Sequence, residues 1–333
     1  MIMNPTPLLE INNLNVRFHT PEGTVYAVND ISYHVNEDET VAIVGESGCG
    51  KTVSVMSILG LIPQPPGEII HGTALYKGKN LLAMSEAELI PFRGREIAFV
   101  FQDPMTSLNP TLSIEKQLTE AIIINQRTSK NAARQKAIEY LELVGITDAK
   151  QRLRNYPHQF SGGMRQRALI AMMLALEPSL LIADEPTTAL DVTIQARIID
   201  LVKKIKAETK MSIIWITHDL GVVAELADRV IVMYAGEIVE EADVVTLFHS
   251  GKHPYTQALL HSLPRADSRR TSDRLQSIEG FPPSCYNIQD GCPFADRCKF
   301  VVEKCWHNKP PLTAVDPEHL VACWINIETG DLR

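Results

Sequence analysis

Apolar and polar residues alternate over residues 8–18 and again over 25–35, with many β-branched side chains, on either side of the turn Thr20-Pro-Glu-Gly23. Period two around a Pro/Gly turn predicts an antiparallel hairpin. The prolines of 62–72 predict a loop, after which a further strand pair turns at Lys77-Gly-Lys-Asn80. Four later stretches carry unbroken apolar runs instead of alternating: Val41–Val44, Ile97–Phe101, the run ending at Asp184, and Ser212–Thr217, apolar over its four central residues. Strands covered on both faces read this way, as in a parallel sheet. Helical periodicity governs 114–126 and 130–144, the latter closed by Gly145, and after a polar break 151–176 is expected to continue as helix. Further helices are predicted at 51–60, 192–209 and 219–227, and Arg229–Val239 reads as a hairpin turning at Ala235-Gly236. The pattern is α/β, with a helical insert in the middle third. The proline after Gln102-Asp103 is expected to force the chain out of regular structure there.

A chain of 333 residues and 37.1 kDa supports one large domain with an appendage and needs no staples. Acidic residues outnumber basic ones by 40 to 32, a formal charge of −8, with no long Lys/Arg block. Nucleic acid is therefore not the expected partner. The longest apolar run, Ala168–Leu176, is under half of the roughly 20 residues a spanning helix needs. Met-Ile-Met-Asn-Pro carries no basic segment followed by an apolar one, so a cytoplasmic location is expected.

The chemistry concentrates where strands end. Directly after Val44 come Gly45, Glu46, Ser47, Gly48, Cys49, Gly50, Lys51 and Thr52, opening a helix. Glycines let such a loop wrap a phosphate with its N–H groups inward, and the helix N-terminus adds partial positive charge. Lys51 would meet the β- and γ-phosphates, and the Thr52 hydroxyl would hold Mg²⁺. The run to Asp184 ends in a second acid, Glu185. Neighbouring residues point different ways, so Asp184 would bind Mg²⁺ while Glu185 polarises the attacking water. Gln102 and His218 stand at two other strand ends, where a glutamine can reach into a cleft and a histidine can contact the γ-phosphate. Ser161, Gly162 and Gly163 precede an apolar-faced helix, so Ser161 can N-cap it and leave a bare N-terminus as a second anion site. Phe18 or Tyr26 could stack on an adenine ring or pack in the core.

Five of six cysteines, Cys285, Cys292, Cys298, Cys305 and Cys323, lie in the last fifty residues, beyond a Pro/Ser/Arg-rich stretch, 251–283, that reads as a connector. In a reducing compartment such a cluster points to metal. The spacings are not the two-residue knuckles of zinc ribbons. Cys292, Cys298, Cys305 and Cys323 fit a [4Fe–4S] cluster, with Zn²⁺ as the alternative and Cys285 as a substitute ligand.

The phosphate loop, Gln102, Ser161-Gly-Gly163, Asp184-Glu185, Asp191 and His218 occur in the order found in ATP-binding-cassette (ABC) ATPases, which the chain resembles over about residues 8–250. Phe101–Pro110, His253–Leu260 and Gly291–Cys298 resemble the dipeptide/oligopeptide (and nickel) permease branch. The resemblance implies a RecA-like core with an antiparallel β subdomain and a helical subdomain at about 103–176, a connector over 251–284, and a cysteine-rich module over 285–333. It further implies an ATPase that drives peptide import through two separate membrane permease subunits, fed by an external peptide-binding protein. The chain would sit on the cytoplasmic face of the membrane. Gln102 would then sense metal and membrane partner, Glu185 would be the catalytic base and His218 the γ-phosphate switch, with Phe18 favoured over Tyr26 on adenine. Ser161, Gly163 and Asp191 would serve nucleotide sandwiched against a second ATPase subunit. Phe160 and Met164 replace the ends of the usual Leu-Ser-Gly-Gly-Gln, and methionine cannot supply the glutamine's hydrogen bonds; Thr188 replaces the usual serine but keeps its hydroxyl. Nickel as the cargo, or a soluble cassette ATPase of DNA repair or ribosome work, are the alternatives. The latter usually have tandem cassettes, coiled-coil inserts or basic faces, none of which shows here.

Overall fold

The computed structural model describes residues 7–262, 278–286 and 290–333. β1 (Leu9–Thr20) and β2 (Gly23–Val35) form the expected hairpin, burying Leu9, Ile11, Leu14 and Val16. β3 (Thr40–Val44) is buried along its whole length and leads through the glycine loop into α1 (Lys51–Ile58). β4 (Gly67–Tyr76) begins inside the stretch expected to be loop. The prolines end at Pro66, and from Gly67 the chain pairs with β1, Ile69 opposite Val16, which satisfies its backbone groups. β5 (Lys79–Asn80) follows the predicted turn, and α2 (Glu86–Leu89) precedes β6 (Ile97–Val100).

Two further expectations fail for local reasons. After Gln102 the chain enters a short helix, α3 (Pro104–Ser107): Asp103 accepts from Met105 N at 2.7 Å, and proline at a first helical position lacks only an N–H that would be unpaired anyway. Past α4 (Ile114–Gln126) and α5 (Lys130–Leu143), 151–176 is not one helix. It divides into α6 (Ala149–Arg152), a single tight turn at Pro157–Gln159, and α7 (Gly162–Leu174). Pro157 stops any helix running through, and Ser161 restarts one. β7 (Leu180–Asp184), α8 (Val192–Thr209), β8 (Ser212–Ile216) and α9 (Leu220–Leu226) fall where predicted, as do β9 (Arg229–Tyr234) and β10 (Glu237–Asp243). α10 (Val244–Ser250) and α11 (Pro254–His261) come next. The second occupies the start of the supposed connector, with His253 Nδ1 accepting from Tyr255 N at 3.1 Å as its cap. The rest of that connector, 263–277, lies outside the described residues. α12 (Glu303–His307), β11 (Thr313–Asp316) and β12 (His319–Val321) complete the chain.

The chain divides into two compact units. The first, chiefly Met84–Ile216, holds the parallel strands β6, β7 and β8, with Val100 level with Ala183 and Ala183 with Trp215, together with helices α2–α8. The second holds an antiparallel sheet ordered β2-β1-β4-β5 and, in another strand group, β11-β12-β10-β9-β3, where β3 and β9 are parallel. Its core gathers Val44, Val230, Val232, Tyr234, Tyr255 and Phe294. The cysteine-bearing segment is therefore not a separate module. Phe294 packs into the same core, and β12 continues the ladder from β10, Val321 opposite Glu240.

Candidate active site

In the second unit, the buried strand β3 delivers Gly45 at its C-terminal end. Gly45 adopts φ 154°, and a Cβ there would lie 2.2 Å from Met233 O; Gly50, at φ 96°, would place one 2.3 Å from Ala27 O. Neither position accepts a side chain, so the loop's shape requires glycine. Gly236 N donates to Cys49 O at 3.0 Å, and Asn29 N to Gly236 O at 2.8 Å, which ties the loop to the β9–β10 turn and to β2. Lys51 is 6 % exposed, and its Nζ donates to Gly45 O at 2.8 Å and Glu46 O at 2.9 Å. An ammonium is thus fixed at the mouth of a loop of backbone amides. Burial pushes the Cys49 thiol up against the opposing pull of Lys51, so Cys49 is a packing residue and not a reactive one.

Other contacts brace the loop. Arg297 donates to Glu46 Oε2 at 2.8 Å and Oε1 at 2.9 Å, and Glu46 N donates to Tyr255 Oη at 2.9 Å. Sequence reasoning missed both partners; the available signal was an arginine beside Cys298 inside the motif Gly291–Cys298, together with the tyrosine of His253–Leu260. His218 is exposed just ahead of α9, which Asp219 caps through Gly221 N at 2.9 Å. Phe18 is half-buried, its ring edge 3.2 Å from where a Cβ on Gly67 would lie. Tyr26 has the Arg17 guanidinium 5.0 Å from its ring centre, and its N–H donates to Cys285 O at 2.8 Å.

In the first unit, adjacent parallel strands end in polar residues. Asp184 is 2 % exposed at the end of β7. Glu185 follows at φ 45°, a left-handed conformation that costs a non-glycine residue roughly 1 kcal/mol. Gln102 Nε2 donates to Glu185 Oε2 at 3.2 Å, and Thr188 Oγ1 to the same oxygen at 3.1 Å. Ser161 caps α7, accepting from Met164 N at 3.3 Å, and Asp191 caps α8, accepting from Ile194 N at 3.0 Å. The two caps are neighbours, since a Cβ on Gly163 would lie 3.3 Å from Leu190 Cδ2. Arg167 secures the turn before them by donating to Gly145 O at 2.6 Å and Gly163 O at 3.3 Å.

Four of the C-terminal cysteines converge. Cys292, Cys298, Cys305 and Cys323 line one cavity of about 10 Å³ with His253 and Trp324. Burial first, and the neighbouring thiols second, push Cys292 up to about 12 and Cys298 up to about 11, which favours the protonated form of these two thiols. Phe300 N donates to Cys298 Sγ at 3.4 Å and Ile325 N to Cys323 Sγ at 3.5 Å. Among the described residues no group of three His, Cys, Asp or Glu side chains is set ready to hold a metal ion: the donors are present, the preset geometry is not. Cys285 is not among those lining the cavity. Its Sγ lies 3.9 Å from Gly48 O at the phosphate loop, so it stands apart from the group it was expected to supplement.

Comparison with known proteins agrees with this geometry. Residues 28–188 match the family model of the ABC transporter, and residues 239–305 match the C-terminal region of oligopeptide/dipeptide transporters. A probable peptide ABC transporter ATP-binding protein of Sinorhizobium fredii is 49 % identical over 98 % of this chain and 97 % of its own length. The dipeptide transport ATP-binding protein DppD of Bacillus subtilis is 50 % identical, covering 97 % and 96 %. Among solved structures, the ATP-binding cassette MJ0796, a dimer in a post-hydrolysis state bound to ADP and Pi, has a TM-score of 0.65 at 28 % identity, over 71 % of this chain and 98 % of that one. The structure of cbiO1 from Clostridium perfringens, part of the ABC transporter complex cbiONQ, has a TM-score of 0.60 at 27 % identity, over 73 % and 91 %.

Proposed function

This chain belongs to the ABC transporter ATPases that carry the oligopeptide/dipeptide transporter C-terminal region, and from that premise we propose that it hydrolyses ATP to drive import of di- or oligopeptides. The observation that carries the reading is the placement of Lys51 inside a glycine loop at the end of a buried strand. A fixed cation among converging N–H groups is what a triphosphate requires. No helix among the described residues is long and apolar enough to cross a membrane, and the translocation path is assigned to partner subunits. The names of the relatives point to a peptide cargo and not to nickel, DNA repair or ribosome work.

We assign the roles as follows. The loop amides and Lys51 bind and orient the phosphates, and Phe18 or Tyr26 stacks on adenine. Thr52, Gln102 and Asp184 would hold Mg²⁺, which supplies charge neutralisation at the β- and γ-phosphates. Glu185 takes a proton from the attacking water as its oxygen bonds to the γ-phosphorus; the bond to the β-phosphate oxygen breaks, and ADP and phosphate leave. Gln102 and Thr188 orient that carboxylate by donating to Oε2, while His218 contacts the γ-phosphate. Ser161, Gly162, Gly163 and Asp191 sit at or beside helix N-termini and address the nucleotide bound by a second ATPase subunit. Met164 gives only its backbone N–H to this turn, so anion binding there falls to Ser161 and the bare N–H groups. Two membrane permease subunits and an external peptide-binding protein complete the importer, with this chain peripheral on the cytoplasmic face.

Cys292, Cys298, Cys305 and Cys323 would hold a [4Fe–4S] cluster, with a single Zn²⁺ as the alternative. The support is four soft donors around one cavity and N–H groups aimed at two of the sulfurs. The decisive experiment on the ATPase is Glu185→Gln. Hydrolysis should fall at least a hundredfold while Mg-ATP binding persists and a nucleotide-locked dimer accumulates; unchanged turnover would remove Glu185 from its role.

A further inference from the structure

The phosphate loop is held from one side by a side chain that lies far along the chain and is absent from any general account of such loops. Arg297 uses its whole guanidinium: Nη1 and Nη2 grip the Glu46 carboxylate, Nη1 also donates to Tyr234 Oη at 3.2 Å, Nε donates to Glu279 O at 3.0 Å, and Nη2 reaches Ile278 O at 3.4 Å. Its side chain is 4 % exposed, with Phe294 and Tyr234 rings about its carbon. A bidentate arginine–carboxylate pair enclosed in this way fixes orientation as well as distance, because the two parallel N–H···O bonds define a plane. Glu46 is the second residue of the loop, and its carbonyl is one of the two that position Lys51 Nζ. Its N–H is fixed by Tyr255. Both anchors therefore come from beyond the catalytic cassette, and both act on the residue whose backbone seats the ammonium.

We propose that Arg297 is a positioning residue of the nucleotide site: by clamping Glu46 it holds the first turn of the phosphate loop in register with Lys51, so the cysteine-bearing segment sets the affinity for the triphosphate. The proposal rests on the reading of this loop as the ATP site. The link to the thiols is short and covalent, since Cys298 follows Arg297 directly and Cys298 N donates to Ala295 O at 3.2 Å within the same turn. A shift of that turn moves the guanidinium.

The test is a double-mutant cycle on the full-length chain, made with Arg297→Gln, Glu46→Gln and both together, with equilibrium binding of Mg-ATP and steady-state hydrolysis as readouts. Each single variant should raise Kd and KM about tenfold with kcat at saturating ATP little changed, and the double variant should be no worse than the weaker single, because both remove one interaction. Arg297→Lys, which keeps one point of contact, should fall between. Unchanged ATP affinity in Arg297→Gln, additive effects, or a loss confined to kcat would each overturn the proposal. If Arg297→Gln does not fold, Glu46→Gln with Arg297→Lys reads the same link from the other end. Lys51→Ala separates the two levels. If it leaves Mg-ATP affinity intact, the nucleotide reading itself fails; if it abolishes binding while Arg297→Gln does not weaken it, only the clamp fails.

Discussion

Gln102 and Glu185 end neighbouring parallel strands, and the amide of one donates to the carboxylate of the other at 3.2 Å. The glutamine amide and the Thr188 hydroxyl thus both hold Oε2 of Glu185, which orients the carboxylate proposed as the base. Gln102→Ala removes that donor but leaves the Thr188 bond. Turnover should fall about tenfold with ATP affinity nearly kept, since a hydrogen bond to a charged group contributes about 1.5–3 kcal/mol and the Thr188 bond remains. Steady-state kinetics beside equilibrium ATP binding separates the two effects.

The adenine contact is decided between two rings. The Arg17 guanidinium lies over the ring of Tyr26, whereas the edge of the Phe18 ring faces the small Gly67. Phe18→Ala should weaken ATP binding by about 1–3 kcal/mol and Tyr26→Ala by less. Titration of the two variants with Mg-ATP ranks them, and the reverse order would move the base to Tyr26.

Glu240 is fully buried, yet hydrogen bonds from His319 at 2.7 Å and from His253 N at 2.9 Å satisfy it. Burial alone raises its pKa, but the bonds from His319 and Lys252 N outweigh burial and hold it below the ordinary glutamate range. A carboxylate depressed on folding stabilises the protein above its unfolded pKa of about 4.3 and loses that contribution as pH falls through the folded value. Glu240→Gln should flatten this acid limb in urea titrations run below about pH 4.3. His319→Ala leaves the carboxylate buried without one donor, and should cost about 3 kcal/mol and lower the melting temperature by roughly 10 °C.

The cysteine cavity is checked by its contents. Anaerobically purified protein should contain iron and acid-labile sulfide, or one zinc, and Cys305→Ser should lose that content together with thermal stability. Cys285→Ser should keep both, because Cys285 lies at the phosphate loop. A metal-free wild type with unaltered stability would leave the four thiols as core side chains.

Much of this was legible in the residues because the chemistry sits at strand ends, and strand ends are marked by abrupt changes from apolar to polar. Val41–Val44, Ile97–Val100 and Leu180–Ala183 are buried along their length, and the chain leaves each strand within a residue or two at Gly45, Gln102 and Asp184. Helix boundaries were harder. Ser161 reads as a cap, but the sequence does not separate the tight turn at Pro157 and the short α6 from the helix that follows, because their apolar residues keep a helical period. β4 was hidden by prolines that stop just before it, and α11 by the polar composition of its neighbourhood. The motif Gly291–Cys298 marks Arg297 as a residue to watch, but that Glu46 is its partner was not legible. The pair joins residues 251 positions apart, and nothing local in either stretch specifies the other.

The pairing of β12 with β10 has a bearing on how this chain can be shortened. A version ending after Asp243 would retain every nucleotide-contacting group assigned above, but it would strip β10 of its outer neighbour. The exposed row of N–H and C=O groups would then be a template for joining another molecule edge to edge, with the Glu240 carboxylate beneath it robbed of its histidine. Such a fragment should clump instead of working as a minimal enzyme, because the tail is a foundation stone of that edge.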